Sequence, residues 1–438
     1  MKNGENSNDN RISRPRRIDI KVENEKAHNP YYYKVAGRYR LLKFISAGAL
    51  ILYLVVMLVT NRSQITYENL MYLMKDLDTD IEATGAHFST VEYDESQKMS
   101  TAIYKNRLAI ATTSSFTLFN TTGSVDRNYS HSMENPKVLT GEKYAMVYDV
   151  GGTSYAVYTT IAQVLATQTE SQIQGAALSE EGNFALITRA RENRYVVTFY
   201  NENFKRTSMI YKDKYVMDVA LSEDGKRWAL VSCTIDGTDV ECEVMSGKVD
   251  SEESRTDTIA DALPLEVSFF SDGSFAVVCD SAVAFYSEGG DPVKKIPIGD
   301  FGINGISFCG DRLMTVENLN LVGSRNRAVV YDPSGDTVSS YEVESKVSLS
   351  ALAEGNMFFA FDGELTRVSP DGEVARCACD SSAAALVPYG DNVVVCAEHY
   401  AVSAFSDESG SAGDTENTPD PGTTGEETVN AEFTPTSP

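Results

Sequence analysis

The sequence predicts an all-β protein: an eight-bladed β-propeller outside the membrane, preceded by one transmembrane helix. Three observations carry that reading. An aromatic–alanine strand start recurs at near-constant spacing, a pair of turns recurs with it, and one uncharged stretch interrupts a basic N-terminal segment. The 438 residues suit roughly three domains or one large repetitive one, and so many residues can bury a large core.

The charge is unevenly divided. Residues 1–43 hold 11 Lys/Arg against 5 Asp/Glu, a net of +6, whereas residues 44–438 hold 27 basic and 58 acidic side chains, a net of −31. That balance argues against wide contact with nucleic-acid phosphates, so no nucleic-acid partner is expected. Residues 1–40 read as a disordered basic cytoplasmic tail. Within it, Tyr31, Tyr32 and Tyr33 suit either an interfacial aromatic group or a phosphotyrosine site.

Phe44 to Thr60 then runs 17 residues with no ionisable group except the Tyr53 phenol. At about 1.5 Å per residue this is about 26 Å, and Leu41, Leu42 and a snorkelling Lys43 bring it to the thickness of a bilayer core. The predicted span is 41–60, and the lipid bilayer is its partner. A buried core helix is the competing reading, but the rest of the chain offers no helical neighbours. A cleaved signal peptide fits poorly, because the apolar run starts late and no small-x-small pattern follows Val59. No cysteine precedes Cys233, which excludes a lipoprotein anchor. Arg38, Arg40 and Lys43 place the N-terminus in the cytoplasm and residues 61–438 outside.

Residues 61–85 read as a juxtamembrane helix and linker. Ile65, Leu70, Leu73 and Leu77 suggest an amphipathic helix over 65–78, with a frayed continuation of the span as the alternative. Residues 407–438 form an acidic Gly/Ser/Thr/Pro-rich tail with eight acidic and no basic residues, which reads as disordered.

The propeller is assigned to residues 86–406. Its strand starts are Tyr144-Ala145, Phe184-Ala185, Trp228-Ala229 and Phe275-Ala276, spaced 40, 44 and 47 residues apart, with Leu108-Ala109 as a looser copy. Polar turns precede three of them, at Ser179–Gly182, Ser222–Gly225 and Ser271–Gly273. A second turn, ending at Gly123, Gly290, Gly335 and Gly372, falls later in the period. Glycine suits the positive φ such turns require. Two turns per 35–50 residues describe a four-stranded sheet repeated in series. The repeats run roughly 98–132, 134–170, 174–211, 216–260, 265–299, 303–344, 346–379 and 382–405. The last holds only three strands, and a spare strand near His87–Tyr93 would complete it and close the ring. A miscount in 303–405 would leave seven blades.

These turn motifs resemble those of the eight-bladed quinoprotein-dehydrogenase-like propellers and, less closely, of WD-type propellers. The layout over residues 31–406 resembles an uncharacterised family of single-pass membrane proteins of Gram-positive anaerobes. The first resemblance would imply a quinone site with an adjacent cysteine pair, a tryptophan platform and a calcium ion. Here Ala378 separates Cys377 from Cys379, and Trp228 falls in the repeating core column. No residue carries over to such a site, and no cofactor is assigned.

Other chemistry is sparse. His28, His87, His131 and His399 are widely separated, and no nucleophile elbow, phosphate-binding loop or dinucleotide fingerprint occurs. Catalytic, cofactor-binding and metal residues are therefore assigned as none. Glu398 and His399 are the pair to watch if a catalytic channel mouth exists. Cys233 and Cys242 face each other across a hairpin centred on Gly237-Thr238, compatible with a disulfide or with two free thiols. Cys279, Cys309 and Cys396 read as buried fillers, while Cys377 and Cys379 share one strand face. The sequence thus favours a non-catalytic binding or scaffold module of the cell envelope, with an envelope protein or wall polymer as partner. An extracytoplasmic enzyme with a channel site is the alternative. Convergent acids and histidines at one mouth would favour the enzyme, and an exposed apolar rim would favour the partner.

Overall fold

A computed structural model describes residues 38–39, 42–53, 88–93, 98–190, 195–237, 239–361 and 363–405. Residues 42–53 are helical and exposed along their length. Among the described residues no helix is long and apolar enough to cross a membrane. Leu41 and 54–60 of the anticipated span, most of the tail before it, the helix anticipated over 65–78, and 407–438 lie outside the described residues.

Residues 88–405 build eight four-stranded antiparallel sheets. Blades 1 to 7 span 99–130, 136–168, 173–212, 215–260, 264–297, 303–343 and 349–378, each with its strands in sequence order. First strands of neighbouring blades approach one another, so they line the axis. Second strands are sandwiched between adjacent blades and are buried on both faces. Arg107–Thr112, Phe275–Cys279 and Asn392–Cys396 are buried at every position, which explains their near-continuous apolar runs. Fourth strands such as Pro292–Pro297 face solvent and carry Lys294 and Lys295, a composition that discourages edge pairing.

The eighth blade is closed by the chain's own beginning. Its three C-terminal strands end at Tyr400–Ser403, and Val91–Glu92 pairs antiparallel with that strand, Val91 opposite Ala401 and Glu92 opposite Tyr400. Phe88 N–H donates to Ser403 Oγ at 2.8 Å, and Tyr93 N–H to the His399 carbonyl at 3.0 Å. Ring closure is as the sequence implied, with eight blades and not seven.

Eight hydrophobic clusters fill the eight junctions. The cluster of Phe88, Val91, Leu108, Ile110, Val394 and Cys396 joins blade 8 to blade 1, and each of the others likewise joins consecutive blades. Trp228 packs in the junction of blades 3 and 4, 5.9 Å from Phe199, with Nε1 donating to the Lys248 carbonyl.

One motif copy is out of step. Phe184, Trp228 and Phe275 face the preceding blade, whereas Tyr144 faces the following one, leaving Ala145 toward blade 1. The turn bonds give the reason. The Tyr144 carbonyl accepts from Gly141 N–H, as those of Asn183, Arg227 and Ser274 accept from Ser179, Ser222 and Phe270. Tyr144 therefore occupies the position before the aromatic, and a one-residue slip reverses every face. Tyr104 of blade 1 fills the space beside Ala145. The displaced Tyr144 ring packs 5.4 Å from Phe204 and lies where a Cβ on Gly182, at φ +87°, would clash at 2.5 Å.

Closure is testable. A chain starting at Met99 keeps every later strand but loses Phe88, Val91 and the edge cover of blade 8. It should aggregate or unfold with clearly lower cooperativity in urea. In the full chain, Phe88→Ala should cost about 3–5 kcal/mol, and a stable monomeric truncation would refute this account.

Candidate functional site

Strand direction divides the propeller into two faces. Second-to-third hairpins and inter-blade connections share one, the loop face. Their backbones bond there, as in Ile173 N–H to the Gly152 carbonyl, Ala262 N–H to Val240, and Asn318 N–H to Gly302. First-to-second and third-to-fourth turns share the other. The chain enters Val91–Glu92 from this turn face, and Tyr400–Ser403 delivers it back to the same face.

The turn face is acidic. Glu142, Glu181, Glu223, Asp224, Asp272 and Asp311 are exposed there. Several tie blades together. Asp311 accepts from both Ser271 N–H and Ser271 Oγ at 2.8 Å, and Glu180 accepts from Glu142 N–H. Burial pushes the Glu180 carboxyl up, against that hydrogen bond. These carboxylates are partly latches, a use that needs no ligand.

The channel holds its own pattern. First strands of blades 3 to 6 each carry a bulge, at Ile173/Gly175, Val216/Asp218, Pro264/Glu266 and Ile303/Gly305. The extra residue breaks the ladder and re-aims its neighbours, so Met217 and Leu265 stand exposed. The following residues, Asp218 and Glu266, are only partly exposed to solvent and heavily surrounded by protein atoms. Asp218 Oδ2 accepts from Val267 N–H of the next blade at 3.0 Å. Ser100 and Ser307 make the same stitch to Val138 and Leu352. Burial pushes Asp218 up to about 6, against hydrogen bonds from Val267 and Val219 and the charge of Lys137. Burial, then the Asp218 charge, pushes Glu266 up to about 7, with Lys137 opposing.

On the loop face of blades 4 to 6 and the adjoining edge of blade 3, exposed apolar side chains stand among exposed charges such as Asp213, Asp261, Asp280, Asp300 and Arg325. Leu321 and Val322, at the hairpin tip of blade 6, are 89% and 78% exposed. Phe301, Leu265, Met217, Ile235, Tyr215 and Tyr211 are exposed on the same face. Ile235 sits on the long hairpin of blade 4, Arg227–Asp236 with Asp239–Lys248. Lys212 and Lys214 buttress that hairpin through Glu243, the Lys214 contact being 2.8 Å. Burial raises the Glu243 carboxyl, but its two lysine partners outweigh this and hold it below the usual range.

The two described histidines do not converge. His131 Nε2 donates to the Thr112 carbonyl at 2.7 Å at the blade 1–2 connection, while His399 is exposed on blade 8 and offers its carbonyl to Tyr93. His28 and His87 lie outside the described residues. Among the described residues no group of three or more His, Cys, Asp or Glu could hold a metal ion. A cavity of about 770 Å³ opens between blades 4 and 5. Its Arg227–Glu288 and Arg255–Asp291 ion pairs and the Trp228 Nε1 bond leave those groups satisfied. Cys377 and Cys379 share the blade 7–8 core.

Residues 86–399 match the model of a family described as a family of unknown function, DUF5711. The chain belongs to that family. No curated protein matches it. Among solved structures, BamB from Moraxella catarrhalis is 10% identical, with 73% of this chain and 99% of that chain covered at a TM-score of 0.49. The WD40 domain of Neurospora crassa Pan2 is 9% identical, with 73% and 95% covered at 0.46. The eight sheets, not these likenesses, establish the fold of this DUF5711 domain.

The sequence reading overlooked Asp218, Glu266 and Lys137. A lone acid at matching places in consecutive repeats, ten residues before Trp228 and nine before Phe275, was the available signal.

Raised carboxyl pKa values mean that the folded domain binds these protons more tightly than the unfolded chain. Their contribution is favourable at low pH and is lost as pH rises through about 4 to 7. Glu266→Gln should therefore stabilise the domain at pH 8, by up to about 3 kcal/mol, and change little at pH 4. Urea titrations at both pH values check this, and equal effects at both would refute it.

Proposed function

We propose that this chain is a membrane-anchored, extracytoplasmic propeller that acts as a non-catalytic binding or scaffold module of the cell envelope. The single observation that supports binding is the exposed apolar set on the loop face of blades 4 to 6. Folded monomers seldom leave such residues together without a partner. Tyrosine and methionine, which interfaces favour, are among them. An envelope protein, with a wall polymer as the alternative, is the proposed partner.

The proposed anchor is 41–60. The uncharged run and its +6 flank support a cytoplasmic N-terminus with 61–438 outside. Both ends of the ring lie on the acidic turn face, opposite the loop face.

Protease added to intact, wall-stripped cells should remove a C-terminal tag and spare an N-terminal one. Loss of the N-terminal tag in intact cells would overturn the orientation.

Binding is tested by Leu321→Ser combined with Val322→Ser and Ile235→Ser. These sites are exposed, so stability should change by about 0.5 kcal/mol or less for each. The triple variant should lose partner crosslinks and reproduce the deletion phenotype at equal membrane abundance. Glu398→Gln with His399→Gln should complement fully. The opposite pair of results would favour the channel enzyme.

A further inference from the structure

The long hairpin of blade 4 carries a chemistry that binding does not use. Its register sets Asp236 opposite Asp239 and Cys233 opposite Cys242. In a two-residue hairpin the closing pair exchanges both backbone hydrogen bonds, and the pairs alternate from there. Counting inward, 236/239 and 234/241 are bonded pairs, while 235/240 and 233/242 are non-bonded pairs. In a non-bonded pair the Cα atoms lie about 4.5 Å apart with side chains on one face, within the window a disulfide spans.

A third thiol waits across the junction. Cys279 ends the second strand of blade 5 and shares the core of blades 4 and 5 with Cys242. The Cys242 and Cys279 thiols share that core, and all three cysteines are buried and free. The Cys279 contact and then burial raise the Cys242 thiol, and burial raises Cys233. Thiolate is the nucleophile in disulfide exchange, so these groups are inert once the blades have closed.

We infer that Cys233 and Cys242 are an oxidation site used during folding, forming a hairpin disulfide that blade 5 then seals, with Cys279 left as the reduced third thiol. The order of assembly selects the pair. The hairpin brings 233 and 242 together across a short loop, whereas Cys279 meets Cys242 only after blade 5 has formed. The oxidant is a disulfide RSSR, either of a low-molecular-weight thiol or of a thiol oxidoreductase. One cysteine thiolate attacks it, forming a mixed disulfide and releasing RS⁻. The second cysteine thiolate attacks the protein sulfur of that mixed disulfide and releases the second RS⁻. The two cysteines lose two protons and two electrons, and RSSR becomes two RSH.

Use of the site in cells rests on the extracytoplasmic reading, whereas the pairing itself does not. The test is therefore made on both. Full-length chain is reduced and unfolded in guanidinium, refolded in detergent with oxidised and reduced glutathione, alkylated in denaturant, and cleaved at aspartate. Cleavage at Asp236 or Asp239 separates the two cysteines, so a 233–242 link holds two peptides together. That link should form in the native sequence and in Cys279→Ser, and Cys279 should be alkylated only after unfolding. A Cys242–Cys279 link, or three alkylated thiols after refolding, overturns the proposal. The same mapping on chain taken from cells with thiols trapped at lysis should show the link. The link on refolding but not in cells supports the pairing and counts against the extracytoplasmic location.

Discussion

Every blade of this ring depends on having two neighbours. The second strands are apolar on both faces, so a blade with one exposed face would present a row of Val, Ala and Phe to water. Burying a Val or Phe side chain contributes about 1.5–3 kcal/mol, and each junction contains several of them. A linear array would forfeit one junction and expose a strand edge. Closure through Val91–Glu92 removes both defects, which is why a strand of two residues matters so much. Its worth lies less in its ladder bonds than in the core of Phe88, Val91 and Leu108 that it completes.

The architecture was legible because closure imposes a repeating burial pattern on the sequence. Gly182, Gly225 and Gly273 all take positive φ, as do Gly123, Gly290, Gly335 and Gly372, so the turn reading was a conformational statement that the backbone satisfies. The aromatic–alanine motif was less secure. Tyr144 matched in letters and not in register, because a strand accepts either parity provided that its neighbour supplies the missing bulk. Tyr104 supplies it. The candidate site was far less legible. Asp218 and Glu266 look like polar interruptions in apolar strands, and only the bulges before them reveal that they line the axis. The apolar loop residues are scattered through the chain from 211 to 322, and only the topology gathers them onto one face.

The chain's acidity has two components. On the turn face, Asp311 and Glu180 hold backbone N–H groups of adjacent blades, so part of the negative charge is committed to joining repeats. In the channel, Asp218 does the same for blade 5 while sharing its surroundings with Glu266 and Lys137. The stitch recurs with serine at two other junctions. Serine makes that bond without titrating, so the carboxylate at blade 4 adds a pH dependence that the structural task does not require.

The bulges connect that pH dependence to the proposed binding face. Each inserts one residue near the loop-face end of a first strand. At blades 4 and 5 the inserted residues are Met217 and Leu265, which stand exposed on the same face as the other apolar side chains. The next residues in sequence are the two channel carboxyls. A single backbone device thus turns an apolar side chain toward the proposed partner surface and fixes an acid in the channel behind it. Moving either residue without the other requires removing the bulge, and removing it would shift the strand by one position and reverse its buried face. The exposed apolar residues of these two blades are consequently held by the core of the ring, not by loop conformation. The lysine-buttressed hairpin of blade 4 extends that rigidity outward to Ile235. A surface preorganised in this way loses little conformational freedom when it is covered, and that is the physical case for reading it as an interface.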